Sequence, residues 1–404
     1  MSEPYIVITA DSHAGASIEG YRDYLDPQYR SRFDDWRGGY ANPSKSHIGD
    51  KKTKNWDSDL RISDLESDGV VAEVVYPNTV PPFHDTAYHV SALPGPDAYE
   101  LALAGTRAHN RWLAEFCAET PGRRAGIGLV QLHDLDDTLD DIAFIADNGL
   151  FGGVLLPLPA PSDTHLAPLN DPAYDRLWAA IQDAGLVINQ HSGQGSPFYA
   201  DAPGSKQLWA LEMTFFVQRG FTQLIMGGVF ERFPGLRFIL TESGCSWVPR
   251  LLKHMDGMHL AAAAGAIGEI DTASAAVTPE PPSHYASTNC WYGASFPSKS
   301  ELDGADVVGI DRILWGNDYP HYEGCYPYSR ENMQFALSTY DEATVRQILG
   351  TNAAALYGFD LDALRPHAER VGITPELVAT PLAEIPADST CITFQRARFE
   401  QAGS

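Results

Sequence analysis

Asp11 and His13 stand two residues apart, just past the apolar run Tyr5-Ile-Val-Ile-Thr9. On an extended chain, residues i and i+2 share a face, so the pair presents a carboxylate and an imidazole side by side. Three later runs also end in an ionisable group: Val187-Ile-Asn-Gln-His191, Phe238-Ile-Leu-Thr-Glu242 and Ile313-Leu-Trp-Gly-Asn-Asp318. Taken singly, His191 reads as a core histidine, Glu242 as a helix N-cap and Asp318 as a turn residue before Pro320. Four such strand ends in one chain argue for a shared site. Two imidazoles and two carboxylates suit a divalent metal with an open position, zinc ahead of manganese or iron(II). Glu242 and Asp318 also qualify as general acid or base, as does His321 after Tyr319-Pro320. His254 is the weaker spare candidate and reads as structural.

These side chains need a scaffold that gathers strand ends. Eight short apolar or β-branched runs are expected as strands: 5–9, 70–76, 126–131, 153–156, 186–190, 237–241, 285–289 and 312–315. Helical patterns lie between most of them. Leu135, Leu139, Ile142 and Ile145 recur on one face of the stretch 134–148. The stretch 171–185 has Asp at the N-cap, Pro at the first helical position and Gly at its end. The stretch 207–233 holds one or two helices, and 341–350 and 351–358 read as two consecutive capped helices. Eight buried strands alternating with helices predict a parallel sheet covered on its faces, and the count favours a (β/α)8 TIM barrel. No Gly-x-Gly-x-x-Gly follows the first strand, which argues against a dinucleotide-binding sheet. In a barrel, the ligand-type residues at these four strand ends reach one carboxyl-end mouth.

The connections are uneven. The aromatic-rich segment 14–69 and the Pro- and His-rich segment 77–96 are long enough to form a substrate lid, or else a subunit interface. The lid reading suggests a planar, apolar small-molecule substrate. The barrel is expected to span 1–360, with 361–404 as a C-terminal arm or extension without clear periodicity.

Composition limits the partners. The 404 residues carry 28 Lys+Arg against 53 Asp+Glu, a formal charge of −25, which leaves little to build a nucleic-acid face. No apolar run is long enough to span a bilayer, and the acidic N-terminus lacks the features of a signal peptide. Five scattered cysteines fit neither a disulfide framework nor a Cys-x-x-Cys zinc site, so a cytoplasmic protein is expected.

Across nearly its whole length the chain resembles the amidohydrolase superfamily. The similarity is to the amidohydrolase 2 branch of the aminocarboxymuconate-semialdehyde and hydroxybenzoate decarboxylases. The stretches Gly228-Val-Phe-Glu-Arg-Phe-Pro234, Thr241-Glu-Ser-Gly244 and Gly316-Asn-Asp-Tyr-Pro320 carry it, and Asn352-Ala-Ala-Ala-Leu-Tyr-Gly358 resembles the family's closing helix. The resemblance implies one metal held by Asp11, His13, His191 and Asp318, and a homodimer or higher homo-oligomer. Strand four, Gly152-Gly-Val-Leu-Leu-Pro157, lacks the carbamylated lysine that usually bridges two metals in such barrels. Two departures stand out. Asp11-x-His13 replaces the family's His-x-His or Glu-x-His, and Glu242 stands where the family often has histidine. The expected activity is non-oxidative decarboxylation of a small cyclic or aromatic carboxylate. The alternatives are metal-assisted hydrolysis of a lactone, amide or C–C bond, and a non-catalytic metal-binding barrel.

Overall fold

The computed structural model describes residues 3–41, 53–86, 88–90, 93–273 and 278–403. The main sheet has eight strands in chain order: β1 (Ile8–Ala14), β2 (Ala72–Pro77), β3 (Arg124–Leu129), β4 (Gly153–Leu155), β5 (Val187–His191), β6 (Arg237–Thr241), β7 (Cys290–Ser295) and β8 (Ile313–Gly316). Every neighbouring pair is parallel, and the sheet order follows the sequence. The sheet closes where β8 returns to β1. There Asp318 N–H donates to Asp11 O (2.9 Å) and His13 N–H donates to Tyr319 O (2.7 Å). The fold is the expected (β/α)8 barrel. Helices such as Tyr99–Ala118, Leu135–Asp147, Asp175–Asp183 and Val248–Ala263 pack around it. The Asp134 carboxylate caps the second of these by accepting from the N–H groups of Asp136 and Asp137.

Alternate residues fill the barrel interior. Ile8, Ala10, Val74, Tyr76, Ile127, Leu129, Leu155, Val187, Ile239 and Leu314 form one buried cluster with Leu356 and Tyr357 of helix Asn352–Tyr357. At β1 the alternation is interrupted. Thr9 pairs with Glu73 and Ser12 with Val75, so three steps on β1 match two on β2. This bulge resets the phase, letting Ala10 join the apolar interior while Asp11 and His13 face the mouth above it. Bulges beside active sites re-aim side chains in this way.

Three sequence expectations need correction. β1 extends to Ala14, so Asp11 and His13 lie within the strand rather than beyond it; the polar residues Thr9, Ser12 and His13 are all buried with partners. The seventh strand is 290–295, whereas 285–289 belongs to a helix, Pro282–Asn289. Pro282 at the first helical position starts that helix, and the true strand was hidden because Cys-Trp-Tyr-Gly-Ala-Ser carries no β-branched residue. The region 341–358 is continuous rather than two capped helices, passing through a π-turn at Gln347–Thr351. Gly350 does not cap a helix: a Cβ there would lie 2.0 Å from Ile6 O, so glycine permits close packing on the chain entering β1.

The segment after β1 is largely helical, with Arg30–Gly39 and Ser58–Ser67 among its elements. Its residues Phe33 and Trp36 pack with Phe83 from the segment after β2, and the group rests on Ala104 and Ala108 of helix 99–118. Parts of both expected lid segments, 42–52, 87 and 91–92, lie outside the described residues. Beyond 360, where no periodicity was read, the chain forms helices Leu361–Val371, Pro375–Ala379 and Ile392–Gly403, with Val378, Cys391 and Phe394 buried.

Candidate metal centre

The seam between β1 and β8 supplies half of the site. Asp11 and His13 project from β1, and Asp318 follows β8 in a left-handed backbone conformation (φ 57°). Such a backbone costs a non-glycine residue about 1–3 kcal/mol and persists where surrounding contacts enforce it. Here Thr9 does so: its hydroxyl donates to Asp11 O (2.7 Å) and accepts from Asn317 N–H (3.0 Å). Gly316 lets β8 approach, since a Cβ at that position would fall 2.6 Å from Asp11 Cβ.

β5 and β6 supply the other half. His191 ends β5, where its N–H donates to the Gln194 side chain (2.9 Å), which in turn donates to Leu156 O (2.9 Å) past β4. Glu242 follows β6, also left-handed at φ 57°. Below them the Tyr76 hydroxyl donates to Thr241 Oγ1 (2.8 Å) and the Tyr357 hydroxyl to Asn189 Oδ1 (2.8 Å), sealing the floor. The Tyr76 ring lies 4.8 Å from that of His191.

The expected residues converge. His13 Nε2 lies 3.3 Å from both Asp11 Oδ1 and Asp318 Oδ1, and His191 Nε2 lies 3.5 Å from Asp11 Oδ1. His321 stacks on His13 (4.1 Å between centroids), with its Nδ1 2.8 Å from Asp318 Oδ1 and its Nε2 3.2 Å from Asn78 Oδ1. Glu242 Oε2 lies 3.6 Å from His191 Nδ1. Ligand-type atoms of Asp11, His13 and His191 fall within 4.8 Å of one another, as do those of His13, Asp318 and His321, and those of Glu242, Asp318 and Glu323. His254 is exposed on helix 248–263 and takes no part.

These donors fit a divalent cation. His13 Nδ1 meets Pro77 O (3.0 Å) and His191 Nδ1 meets Ser192 O (3.0 Å). A carbonyl only accepts, so each Nδ1 carries a proton, and each Nε2, aimed at the carboxylates, has a lone pair to give once a cation takes the place of its proton. Asp11 and Asp318 are fully buried, yet Asp11 Oδ1 and Asp318 Oδ2 accept no hydrogen bond among the described residues. Buried carboxylate oxygens of this kind are costly, and a cation among them relieves that cost. The other Asp11 oxygen is held by the Ser295 hydroxyl at 2.5 Å.

The charges shape protonation. Burial works against charge on His13, but its contacts with Asp11 and Asp318 outweigh it and push the imidazole up to about 10. Burial likewise opposes ionisation of Asp11, and the two imidazoles overcome it to hold that carboxyl below the usual range. At Glu242 burial acts with the acids Asp318, Asp11 and Glu323, so its carboxyl is raised well above the ordinary value.

Four neighbours escaped the sequence reading. Ser295 was missed because β7 was placed five residues early, and Asn78 because β2 ends in no ligand-type residue. Glu323 lies two residues past His321 with no motif to mark it. Tyr76 looked like one more core aromatic.

The amidohydrolase family model matches residues 76–359. Gamma-resorcylate decarboxylase of Rhodococcus jostii (strain RHA1) is 25% identical over 281 residues, covering 65% of this chain and 78% of that protein. The 2-amino-3-carboxymuconate-6-semialdehyde decarboxylase of Dictyostelium discoideum is 22% identical over 313 residues, covering 76% and 77%. Among solved structures, a dihydroxybenzoic acid decarboxylase from Polaromonas sp. JS666, with bound manganese and the inhibitor 2-nitroresorcinol, superposes with a TM-score of 0.61 at 16% identity. It covers 88% of this chain and 97% of its own.

Proposed function

The chain belongs to the amidohydrolase family, and from that premise we propose that it is a metal-dependent decarboxylase of a small aromatic or muconate-like carboxylate. The observation that carries this reading is the buried set Asp11, His13, His191 and Asp318, in which two carboxylate oxygens accept no hydrogen bond among the described residues. Those four residues would hold one divalent metal, for which manganese has a precedent in the Polaromonas relative and zinc suits the donors equally. Bound there, the metal would fix the substrate's oxygens and stabilise the negative charge that develops as CO2 leaves.

The chain's own residues then have to manage one proton. Replacing a carboxylate by hydrogen forms a C–H bond and breaks a C–C bond, so an acid must reach the carbon that loses CO2. The Asp318–His321 pair is placed to supply it. His321 is 20% exposed while Asp318 is fully buried, which links bulk water to the interior across 2.8 Å. Glu242, across the mouth beside His191, is the second acid. Asn78 fixes the far nitrogen of His321.

The same geometry serves hydrolysis, and Glu242 in place of the branch's histidine favours that second reading. Assaying CO2 release from hydroxybenzoates and carboxymuconate-type acids, beside lactone and amide hydrolysis, separates the two. CO2 release lost in Asp318→Asn supports the decarboxylase. Hydrolysis without CO2 release overturns it.

We treat 1–360 as the barrel unit and 361–404 as its extension. A cytoplasmic location agrees with five free, buried cysteines. No described helix is long and apolar enough to cross a membrane. A homodimer or higher homo-oligomer is supported by helix Ser205–Met226. Gly220 of that helix packs on Gln190 beside the end of β5, whereas Leu208, Leu211 and Phe215 nearer its start are exposed.

A further inference from the structure

We propose that the C-terminal segment 388–394 is a positioning strap that holds the loops bearing Asp318, His321, Glu323 and the Ser295 support of Asp11. The inference rests on the metal-site reading above. The loop after β8 leaves the barrel at Asp318 and runs to helix Ser329–Leu337. On its inner side, Asp318 N–H donates to Asp11 O (2.9 Å) and Cys325 N–H to Asn317 O (3.0 Å). Its outer side is held by the strap: the Thr390 hydroxyl donates to Tyr322 O, and Ile392 N–H donates to Glu323 O (3.2 Å). The two bonded carbonyls belong to the residues directly after His321.

The same strap reaches the neighbouring loop. The Thr393 hydroxyl donates to Phe296 O. Phe296 directly follows Ser295, whose hydroxyl holds Asp11, and its backbone is left-handed at φ 36°. Two of the left-handed non-glycine residues at the mouth, Phe296 and Asp318, therefore lie in loops tied by one short segment. Strained backbone of this kind needs outside contacts to persist.

The strap is itself anchored. Cys391 and Phe394 are fully buried, and the Phe394 ring lies 5.7 Å from Phe335. Arg398 clips the preceding turn by donating to Pro386 O (2.7 Å), Ala387 O (3.0 Å) and Ser389 O (2.7 Å), and the Tyr328 hydroxyl donates to Asp388 Oδ1 (2.7 Å). None of the three strap bonds touches a barrel strand; all end on carbonyls of the β7 and β8 loops. An element serving only to thicken the core has no need of that placement.

The test compares the Thr390→Val/Thr393→Val double variant, which removes both hydroxyls at nearly constant shape, with Thr390→Ser/Thr393→Ser, which keeps them. Hydrogen exchange on metal-free protein and manganese affinity are measured in both. The valine variant is expected to exchange faster in peptides covering 294–298 and 317–326, with strands 187–191 and 237–241 unchanged. It should also bind manganese about 10–100-fold more weakly, as when support behind metal ligands is removed. The serine variant should match wild type. A valine variant with wild-type exchange in both loops overturns the proposal, as does one whose exchange rises uniformly across the barrel. A wild type that takes up no metal refutes the metal reading instead, and loop exchange then decides the strap by itself.

Discussion

β1 carries two buried charge clusters on its opposite faces, and they are built in opposite ways. Outside the barrel, Ser12 meets Glu73, whose carboxylate also accepts from Arg61 (Nη2 2.6 Å) and Arg124 (Nε 3.1 Å). Arg61 goes on to donate to His13 O (2.7 Å), and Arg124 to Phe116 O (2.9 Å). Every charge there has a partner: the Glu73 carboxylate faces both arginines, Arg124 also meets Glu119 Oε2 (3.7 Å), and the cluster locks β1, β2 and β3 together. Inside the barrel, one residue away on either side, Asp11 and His13 join Asp318 and His191 at the same depth of burial. There Asp11 Oδ1 and Asp318 Oδ2 accept no hydrogen bond among the described residues. Saturation marks a structural ion cluster; deliberate incompleteness marks one built to receive something.

The contrast is broken most severely by Asp318→Asn, which should lower turnover on an identified substrate by about a thousandfold or more. The metal-free variant should stay within about 1 kcal/mol of wild type in denaturant unfolding, because the residue serves the site rather than the core. A variant that keeps near wild-type activity would remove Asp318 from the machinery.

Glu73→Gln should behave in the reverse way. It leaves Arg61 and Arg124 buried against a neutral amide, so unfolding free energy should fall by about 3–5 kcal/mol. The pH dependence sharpens this. Burial alone would raise the Glu73 carboxyl, but the two arginines and Ser12 outweigh it and hold it at about 2 against an ordinary 4.5. A depressed folded value means that its stabilisation is complete above about 4.5 and is lost as pH falls towards 2. Thermal melts of Glu73→Gln should therefore show a shallower acid limb than wild type between those values. Parallel limbs would show that Glu73 contributes nothing to it.

Ser295→Ala is the smallest of the three. It removes one hydrogen bond to Asp11 Oδ2 and should weaken metal binding by about 10–100-fold, leaving unfolding nearly unchanged. Unchanged metal affinity would show that the Ser295 contact does not support the ligand.

The sequence made the site more legible than its supports. Asp11, His13, His191, Glu242 and Asp318 were singled out because ligand chemistry at strand ends is a local signal, the structure brings them to one mouth, and the barrel followed from the alternation of buried runs. The β1 bulge was not legible, because it is set by pairing with Glu73 and Val75 far along the chain. β7 was misplaced because glycine, alanine and serine within the barrel are chosen for fit against neighbours such as Thr241 rather than for strand propensity. The strap escaped notice for a related reason: its bonds to Tyr322, Glu323 and Phe296 are long-range contacts with carbonyls, which no side-chain pattern announces.

Elemental analysis of purified protein tests the central claim most directly, with Asp11→Ala and His191→Ala beside wild type and Glu73→Gln as the control from the saturated cluster. The predicted result is about one zinc, manganese or iron per chain in wild type and in the folded fraction of the control, and none in the two site variants. Wild type devoid of metal after reconstitution, or metal retained in both site variants, would contradict it.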